Sequence, residues 1–391
     1  MVWHLVTGEY PPELGGVADY TAVLGRALAA AGCEVHVWCP GEAAGTTAEP
    51  GGVEVHRIAG RFGPAGLARL DRMLDRFLGP RRLLVQYVPH GFGWKGMNVG
   101  FVAWVAARRH RSRDDVRVMF HEVAFPWVRR PLRHNLLAAV DRVMAAVLIR
   151  SCTTAYVSIP SWAGVLRRLG GRRVPVLWTP IPATIPTDPP AERVTEARAR
   201  LTGGDPAIEV VGHFGTYGAP ITSILAPALS AILNRRPDAR AVLLGSGGER
   251  WRDELVADGP HWSARVVALG PLPAPAVAEY LLTCDLMIQP YPDGASTRRT
   301  TLMASLANGV PVLTTLGPLS EPVWADGSVA TAPAERLAEA AVGLLDRPAV
   351  LQELGRAGRR LYDERFAIGR TIDVLLQEAP RSAVGSPGVL P

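Results

Sequence analysis

The densest chemistry lies in Asp293-Gly294-Ala295-Ser296-Thr297-Arg298-Arg299-Thr300-Thr301, between an apolar segment ending at Gln289-Pro290 and an apolar helix. Adjacent arginines at a helix N-terminus oppose the helix dipole unless an anion is there to accept from them. A diphosphate held by Arg298, Arg299, Thr297, Thr300 and Thr301 supplies that anion; otherwise the arginines point to solvent or pair with Asp293. Small-residue loops at Gly212-His213-Phe214-Gly215-Thr216-Tyr217-Gly218 and Gly245-Ser246-Gly247-Gly248 let a nucleotide approach the backbone closely. Near the chain start, Glu9 precedes Gly15-Gly16 and a helix, where free amides favour a phosphate or sugar. The Gly-Gly pair is also ordinary turn chemistry, and it is not the GxGxxG fingerprint. His121-Glu122 follows a strand, and a histidine there is either a ligand contact or a satisfied structural residue. Tyr87-Val88-Pro89-His90-Gly91-Phe92-Gly93-Trp94 reads either as an aromatic wall for a sugar acceptor or as a structural loop.

Apolar periodicity supplies the elements that must position these residues. Strands are predicted at 3–7, 34–38, 53–58, 83–87, 116–120, 154–158 and 174–178, with helices at 19–31, 64–78, 98–110, 132–149 and 160–169. Five prolines in residues 179–190 exclude a helix or central strand and mark a linker. Strands then resume at 208–211, 241–244, 265–268, 286–289 and 312–314, separated by helices at 219–234, 249–257, 275–282 and 299–308. Three more helices follow, at 334–345, 348–361 and 366–378. The fold class is therefore α/β, with two doubly wound Rossmann-like domains facing across a cleft. The expected boundaries are 1–180, a linker at 181–190, 191–365, a helix at 366–380 returning to the first domain, and a loose tail at 381–391. Ligands in such sheets lie beyond the carboxyl ends of the strands, where the loops above fall.

The 391 residues are 48% hydrophobic and 20% charged, a globular balance that excludes a disordered chain. No apolar run approaches the roughly 20 residues of a membrane span. The opening Met1 to Thr7 reads as a strand and not a signal peptide, so a cytoplasmic protein is expected. Cys33, Cys39, Cys152 and Cys284 lack zinc-like spacing and are expected to be ordinary half-buried thiols. The net charge of +6 divides unevenly: residues 1–185 carry 23 Lys+Arg against 13 Asp+Glu, and the remainder 19 against 23, or +10 against −4. That asymmetry fits an Arg-rich solvated surface, or a surface for an anionic acceptor or an anionic membrane. Arg108-Arg109-His110-Arg111 and Arg129-Arg130-Pro131-Leu132-Arg133 are the candidate clusters for peripheral membrane contact. Nucleic acid is not expected, because no aromatics interleave with the basic clusters.

The run Glu9-Tyr10-Pro11-Pro12 to Gly15-Gly16-Val17-Ala18-Asp19-Tyr20, the Leu244-Gly245-Ser246-Gly247 loop, the Gly270-Pro271-Leu272 turn, and Pro290 through Gly309-Val310-Pro311-Val312 resemble the family-4 retaining glycosyltransferases of the GT-B type. The similarity runs in order across nearly the whole chain. It implies that the second domain holds a nucleotide-diphospho-sugar donor, with Gly270 to Leu272 at the base and Thr297 to Thr301 at the diphosphate. Gly215, Gly245 and Asp293 would complete the nucleotide site. The first domain would take the acceptor, with Gly15-Gly16 against the donor phosphate and His121 against the transferred sugar. Glu9, His90, Glu122 and Glu321 are further candidates for sugar or acceptor contacts. The resemblance implies no metal and no other cofactor. It also implies retention without a protein nucleophile, with a small-molecule, glycan or lipid-linked acceptor, in secondary metabolism or envelope glycan synthesis.

Two departures stand out. Members of the family carry two glutamates eight residues apart around this loop, and this chain has Ser296 and Ala304 there. The Arg and Lys that usually follow the first strand of the second domain are also missing from His213-Phe214-Gly215-Thr216-Tyr217. Asp293 is the nearest acidic replacement for the first glutamate, and Arg298 and Arg299 replace the missing cations. A catalytically silent nucleotide-sugar binder and a nucleotide-sugar epimerase on the same scaffold are the alternatives to a transferase.

Overall fold

The computed structural model describes residues 1–377 except 14, 80, 128, 130 and 131. The tail at 381–391, the end of the 366–380 helix and part of the 129–133 cluster therefore lie outside the described residues. The chain forms two compact units, Met1–Pro180 together with the segment from Ile368, and Ile181–Ala367.

The first unit runs β1 (Val2–Thr7), α1 (Gly16–Ala30), β2 (Glu34–Gly41), β3 (Gly45–Glu49), β4 (Val53–Ala59), α2 (Pro64–Leu74), β5 (Arg82–Tyr87), α3 (Val99–Ala107), β6 (Asp115–Phe120), α4 (Leu132–Ser151), β7 (Thr154–Val157), α5 (Ser161–Leu166) and β8 (Val176–Trp178). Its sheet order is β3-β4-β2-β1-β5-β6-β7-β8. Central strands are buried nearly end to end because helices cover both faces. The exception to parallel pairing is β3, which runs antiparallel to β4 at the edge. Its exposed Gly-Thr-Thr-Ala-Glu has no apolar alternation, so periodicity does not reveal it. Gly32 closes α1 with a left-handed φ of +81°, which a glycine adopts without strain.

The second unit runs α6 (Ala191–Thr202), β9 (Val210–Phe214), α7 (Ala219–Arg235), β10 (Arg240–Leu244), α8 (Gly248–Asp258), β11 (Val266–Gly270), α9 (Ala274–Leu282), β12 (Leu286–Gln289), α10 (Thr300–Ala307), β13 (Val312–Thr314), β14 (Ala330–Thr331), α11 (Leu337–Leu345) and α12 (Pro348–Arg365). The parallel sheet has the order β11-β10-β9-β12-β13-β14. Helix α6 is a finding the sequence pattern does not announce, since its buried face is only Ala197, Leu201 and Thr202. The proline-rich segment is tied into this unit: Ile181 N–H donates to Thr297 O at 2.9 Å and Ala183 N–H to Tyr362 Oη at 3.2 Å. The last helix, α13 (Ile368–Leu376), packs on α1, and Arg117 donates to Leu375 O at 3.0 Å. No helix among the described residues is long and apolar enough to cross a membrane. Cys39, Cys152 and Cys284 are buried free thiols and Cys33 is half-buried, so three of the four lie deeper than expected.

Four of the first unit's arginines are turned inward onto carboxylates. Arg108 is 2% exposed and donates to Asp114 at 2.8 Å, Asp71 at 3.0 Å and Asp75 at 2.7 Å. Arg81 takes the other Asp114 oxygen at 2.7 Å, while Arg82 and Arg117 share Asp115. Arg108 is thus a buried structural cation and not a membrane contact. Removing one partner of a buried ion pair costs about 3–5 kcal/mol because a charge is left uncompensated. Urea unfolding of Arg108→Ala should show a loss of that order, and a loss below about 1 kcal/mol, the surface-pair value, would contradict this reading.

Candidate active site

In each sheet the strand order reverses beside the first strand, between β1 and β5 and between β9 and β12, and ligands of doubly wound sheets collect there. In the second unit three strand exits are stitched together. Gly215 N–H donates to Leu244 O at 3.0 Å, and Gly245 N–H donates to Gly270 O at 2.9 Å. Gly245 has φ +109°, and a Cβ there would run into the Gly215 carbonyl. A Cβ on Gly215 would lie 3.4 Å from His213 Nε2 and 3.9 Å from Thr301 Cγ2, so the β9 exit abuts the start of α10. Gly215, Gly245, Gly270 and the half-buried Leu272 therefore form one rim with the first turn of α10. In that turn the amides of Thr300 and Thr301 precede the first available helical carbonyl partner. Glu249, in the first turn of α8, lies where a Cβ on Gly270 would collide with its carboxylate. No motif in the sequence points to it.

His213 donates through Nδ1 to Ile288 O at 2.8 Å, and burial lowers its pKa to about 4, so it is neutral. The Ser296 hydroxyl and both amide atoms of Gln289 are buried without a hydrogen-bond partner. Buried polar groups are nearly always paired, so such atoms mark places where a ligand is wanted.

The loop from Tyr291 to Arg299 is held rigidly. Tyr291 N–H donates to Thr315 Oγ1 and Ala295 N–H to Thr315 O, both at 2.8 Å, and Leu319 N–H donates to Asp293 O at 3.0 Å. Glu321, expected as a sugar contact, is instead a buried clamp. Its carboxylate accepts from Thr297 N–H at 3.1 and 3.2 Å, Thr297 Oγ1 at 2.5 Å and Trp324 Nε1 at 2.6 Å. Burial pushes its carboxyl pKa up, and these hydrogen bonds pull it back. The amide and hydroxyl of Thr297 are accordingly committed to Glu321 and are not presented to a diphosphate. Asp293, expected at the nucleotide, accepts from both Arg298 and Arg299, so the pairing alternative is the arrangement present. The Arg299 guanidinium also lies 4.7 Å over the Tyr291 ring, whose hydroxyl is 2.8 Å from Thr301 Oγ1.

In the first unit, Glu9 takes a role the sequence does not suggest. Its Oε1 accepts from Val17 and Ala18 N–H, both at 3.1 Å, and so caps α1 with a carboxylate. A side chain on Gly15 would collide with that carboxylate, while Gly16 faces open space. His121 donates its Nε2–H to Gln86 Oε1 at 2.8 Å and packs against the edge of Tyr20 at 5.0 Å. Burial lowers its pKa to about 3, which leaves a neutral ring with Nδ1 as acceptor. Glu122 is half-buried, and His90 is exposed with its ring stacked on Phe125 at 6.2 Å. Tyr87 and Phe92 point into the core, which removes them from an acceptor wall. Asp141, which the sequence reading missed, is buried on α4 with one oxygen unpartnered, as is the Tyr87 hydroxyl. Burial raises the Asp141 carboxyl, and Glu122 adds to the rise while Arg142 and His90 oppose it.

The family model described as Glycosyl transferase 4-like domain matches residues 15–181, and that described as Glycosyl transferases group 1 matches residues 208–347. The chain belongs to the glycosyltransferases, and its two Rossmann-like units are of the GT-B fold type. Similar solved structures include a sucrose-phosphate synthase from Thermosynechococcus elongatus, 18% identical, covering 96% of this chain and 97% of that one with a TM-score of 0.72. Anabaena HepE in complex with UDP-glucose is 14% identical, with 96% and 99% coverage and a TM-score of 0.67. WaaG, a glycosyltransferase involved in lipopolysaccharide biosynthesis, is 16% identical, with 96% and 98% coverage and a TM-score of 0.65. At these identities the likeness shows the fold. No curated protein matches the sequence.

Two predictions follow from the geometry of this glycosyltransferase. Glu321→Ala leaves three buried donors unpaired, and each costs about 1–3 kcal/mol. The variant should lose about 3–5 kcal/mol in denaturant unfolding. Glu321→Gln, which keeps acceptor capacity, should lose less; equal midpoints for wild type and Glu321→Ala would remove the clamp. Second, His121 and His213 are held neutral with folded pKa values below the ordinary 6.5. Their contribution is complete above about pH 6.5 and lost on acidification, at up to about 1.4 kcal/mol per pH unit each, down to about pH 4 for His213. Chemical unfolding at pH 7, 6 and 5 should show this slope, and His213→Gln should flatten it.

Proposed function

We propose that this glycosyltransferase moves a sugar from a nucleotide-diphospho-sugar to an acceptor hydroxyl with retention, and that no metal is needed at the diphosphate. The observation that carries the reading is the convergence of the Gly215, Gly245 and Gly270 exits on the first turn of α10, fronted by Arg298 and Arg299. Anabaena HepE, whose fold this chain shares, is a complex with UDP-glucose, which supports a nucleotide-sugar donor. As the bond to the leaving diphosphate breaks, negative charge grows on its oxygens, and preorganised donors there are the largest lever a protein has. Arg298, Arg299 and the Thr300 and Thr301 amides are those donors. Asp293 offsets one of the two positive charges and keeps both guanidiniums at the loop until the diphosphate competes for them.

The neutral His121 ring has its Nε2–H committed to Gln86, so it would accept from a sugar hydroxyl through Nδ1. Its role is orientation, not proton donation. Glu249 is the carboxylate beside the glycine rim and takes over the hydroxyl contact that a glutamate at position 304 would otherwise make. The acceptor belongs to the first unit and is a small molecule, a glycan or a lipid-linked sugar. A cytoplasmic setting, with or without peripheral membrane contact, suits that chemistry.

The competing reading, a silent nucleotide-sugar binder, rests on one observation: Ser296 and Ala304 are fully buried where the family carries glutamates. Turnover separates the two. Arg298→Ala and Arg299→Ala should each lower release of nucleoside diphosphate by roughly tenfold or more while the fold survives. Thermal stabilisation by nucleotide sugars with no turnover on any acceptor would favour the binder, and undiminished turnover in both variants would remove the diphosphate assignment.

A further inference from the structure

Strands β2 and β4 carry the same tripeptide near their starts, Glu34-Val35-His36 and Glu54-Val55-His56. Alternate residues of a strand share a face, so each strand sets a Glu and a His side by side on one face. The register pairs His36 with Glu54, Trp38 with His56, and Thr46 of β3 with His56, which gathers the four groups at the edge of the first unit's sheet. His36 Nδ1 lies 3.0 Å from His56 Nε2 and 3.0 Å from Glu54 Oε2, and His56 Nε2 lies 3.7 Å from Glu54 Oε2. Donor atoms around a tetrahedral zinc, with bonds of about 2.0–2.2 Å, are separated by about 3.3–3.5 Å. The observed triangle brackets that spacing.

The outer nitrogens are occupied in the sense a metal site requires. His36 Nε2 is 2.9 Å from the Glu34 carboxylate, and His56 Nδ1 is 3.0 Å from Thr46 Oγ1. With protons on those outer nitrogens, three lone pairs face one another. A single shared proton bridges two of them at most; a divalent cation satisfies all three. A carboxylate behind a ligating histidine is a recurrent outer-shell device that orients the ring and strengthens it as a ligand. Phe77 and Trp38 wall the site, with ring centroids 4.5 Å from His36 and 4.0 Å from His56 respectively. Both histidines are buried, whereas the Glu54 side chain is 45% exposed, which leaves an entry path and an open coordination position.

We infer that His36, His56 and Glu54 form a binding site for a divalent transition metal of the zinc class, with Glu34 and Thr46 orienting the two imidazoles. The ligands stand within the first four residues of β2 and β4, short of the strand exits that carry the proposed transfer chemistry. The ion ties β2 to β4 and takes no part in sugar transfer.

The test uses the full chain, stripped with a chelator and titrated with Zn²⁺ and, separately, Co²⁺. The expected result is one ion per chain by elemental analysis, visible Co²⁺ bands of a four-coordinate nitrogen and oxygen site, and a melting temperature that rises with Zn²⁺. Glu54→Gln and His56→Asn should abolish uptake, with circular dichroism verifying that each variant is folded. Glu34→Gln, at an exposed side chain, should keep the stripped protein's melting temperature and weaken Zn²⁺ binding about 10–100-fold. Absence of uptake by the wild-type chain, or unchanged uptake in folded Glu54→Gln, overturns the site; the second result would place the ion on other residues such as the cysteines.

Discussion

The candidate donor site depends on a buried carboxylate. Glu321 gathers the amide and hydroxyl of Thr297 and the indole of Trp324, and through them fixes the path of the loop that leads into α10. Without it, two adjacent arginines ahead of a helix N-terminus would repel both each other and the positive end of the dipole. With the loop held also by Thr315 and by the contact of Gly294 with Gly317, the arginines can only spread across Asp293. The crowded charges are therefore supported by the hydrogen bonds of Glu321 and Thr315 behind the loop.

Internal pairing also takes up some of the first half's charged residues. The +10 of the first half suggests an anionic partner, yet Arg81, Arg82, Arg108 and Arg117 are spent on Asp71, Asp75, Asp114 and Asp115 inside the first unit. Glu9 likewise fills the N-terminus of α1 with the protein's own anion. Formal charge counts residues; a ligand meets only the charge left over after internal pairing. Four cations cancel four anions in these pairs, so the +10 of residues 1–185 is unchanged and rests on the arginines outside them.

The alternation of strand and helix was legible because buried parallel strands are continuous apolar runs, and Leu83 to Tyr87 or Leu286 to Gln289 announce themselves. β3 and α6 were not, since an exposed edge strand and a helix burying three small or aliphatic residues carry almost no periodic signal. The glycine exits were legible because Gly245 and Gly270 hold positive φ that other residues resist. What residue type could not convey was direction. Glu9, Asp293, Thr297 and Glu321 all looked like ligand groups, and each is turned toward another part of its own domain. Glu249 and Asp141 lie outside every motif and became visible only through their neighbours in space.

Positions 296 and 304 have a physical reading of their own. Ala304 belongs to a stretch of α10 from Leu302 to Ala307 that is buried throughout, so a carboxylate there would have to be desolvated within the core of the domain unless a ligand received it. Ser296 is equally buried, and its unpartnered hydroxyl sits beside Thr297, whose amide the Glu321 carboxylate already holds. A second carboxylate at position 296 would crowd like charge against Glu321 in a low-dielectric site, which is unfavourable. The carboxylate that does stand at the rim is on α8, where Glu249 lies against Gly270.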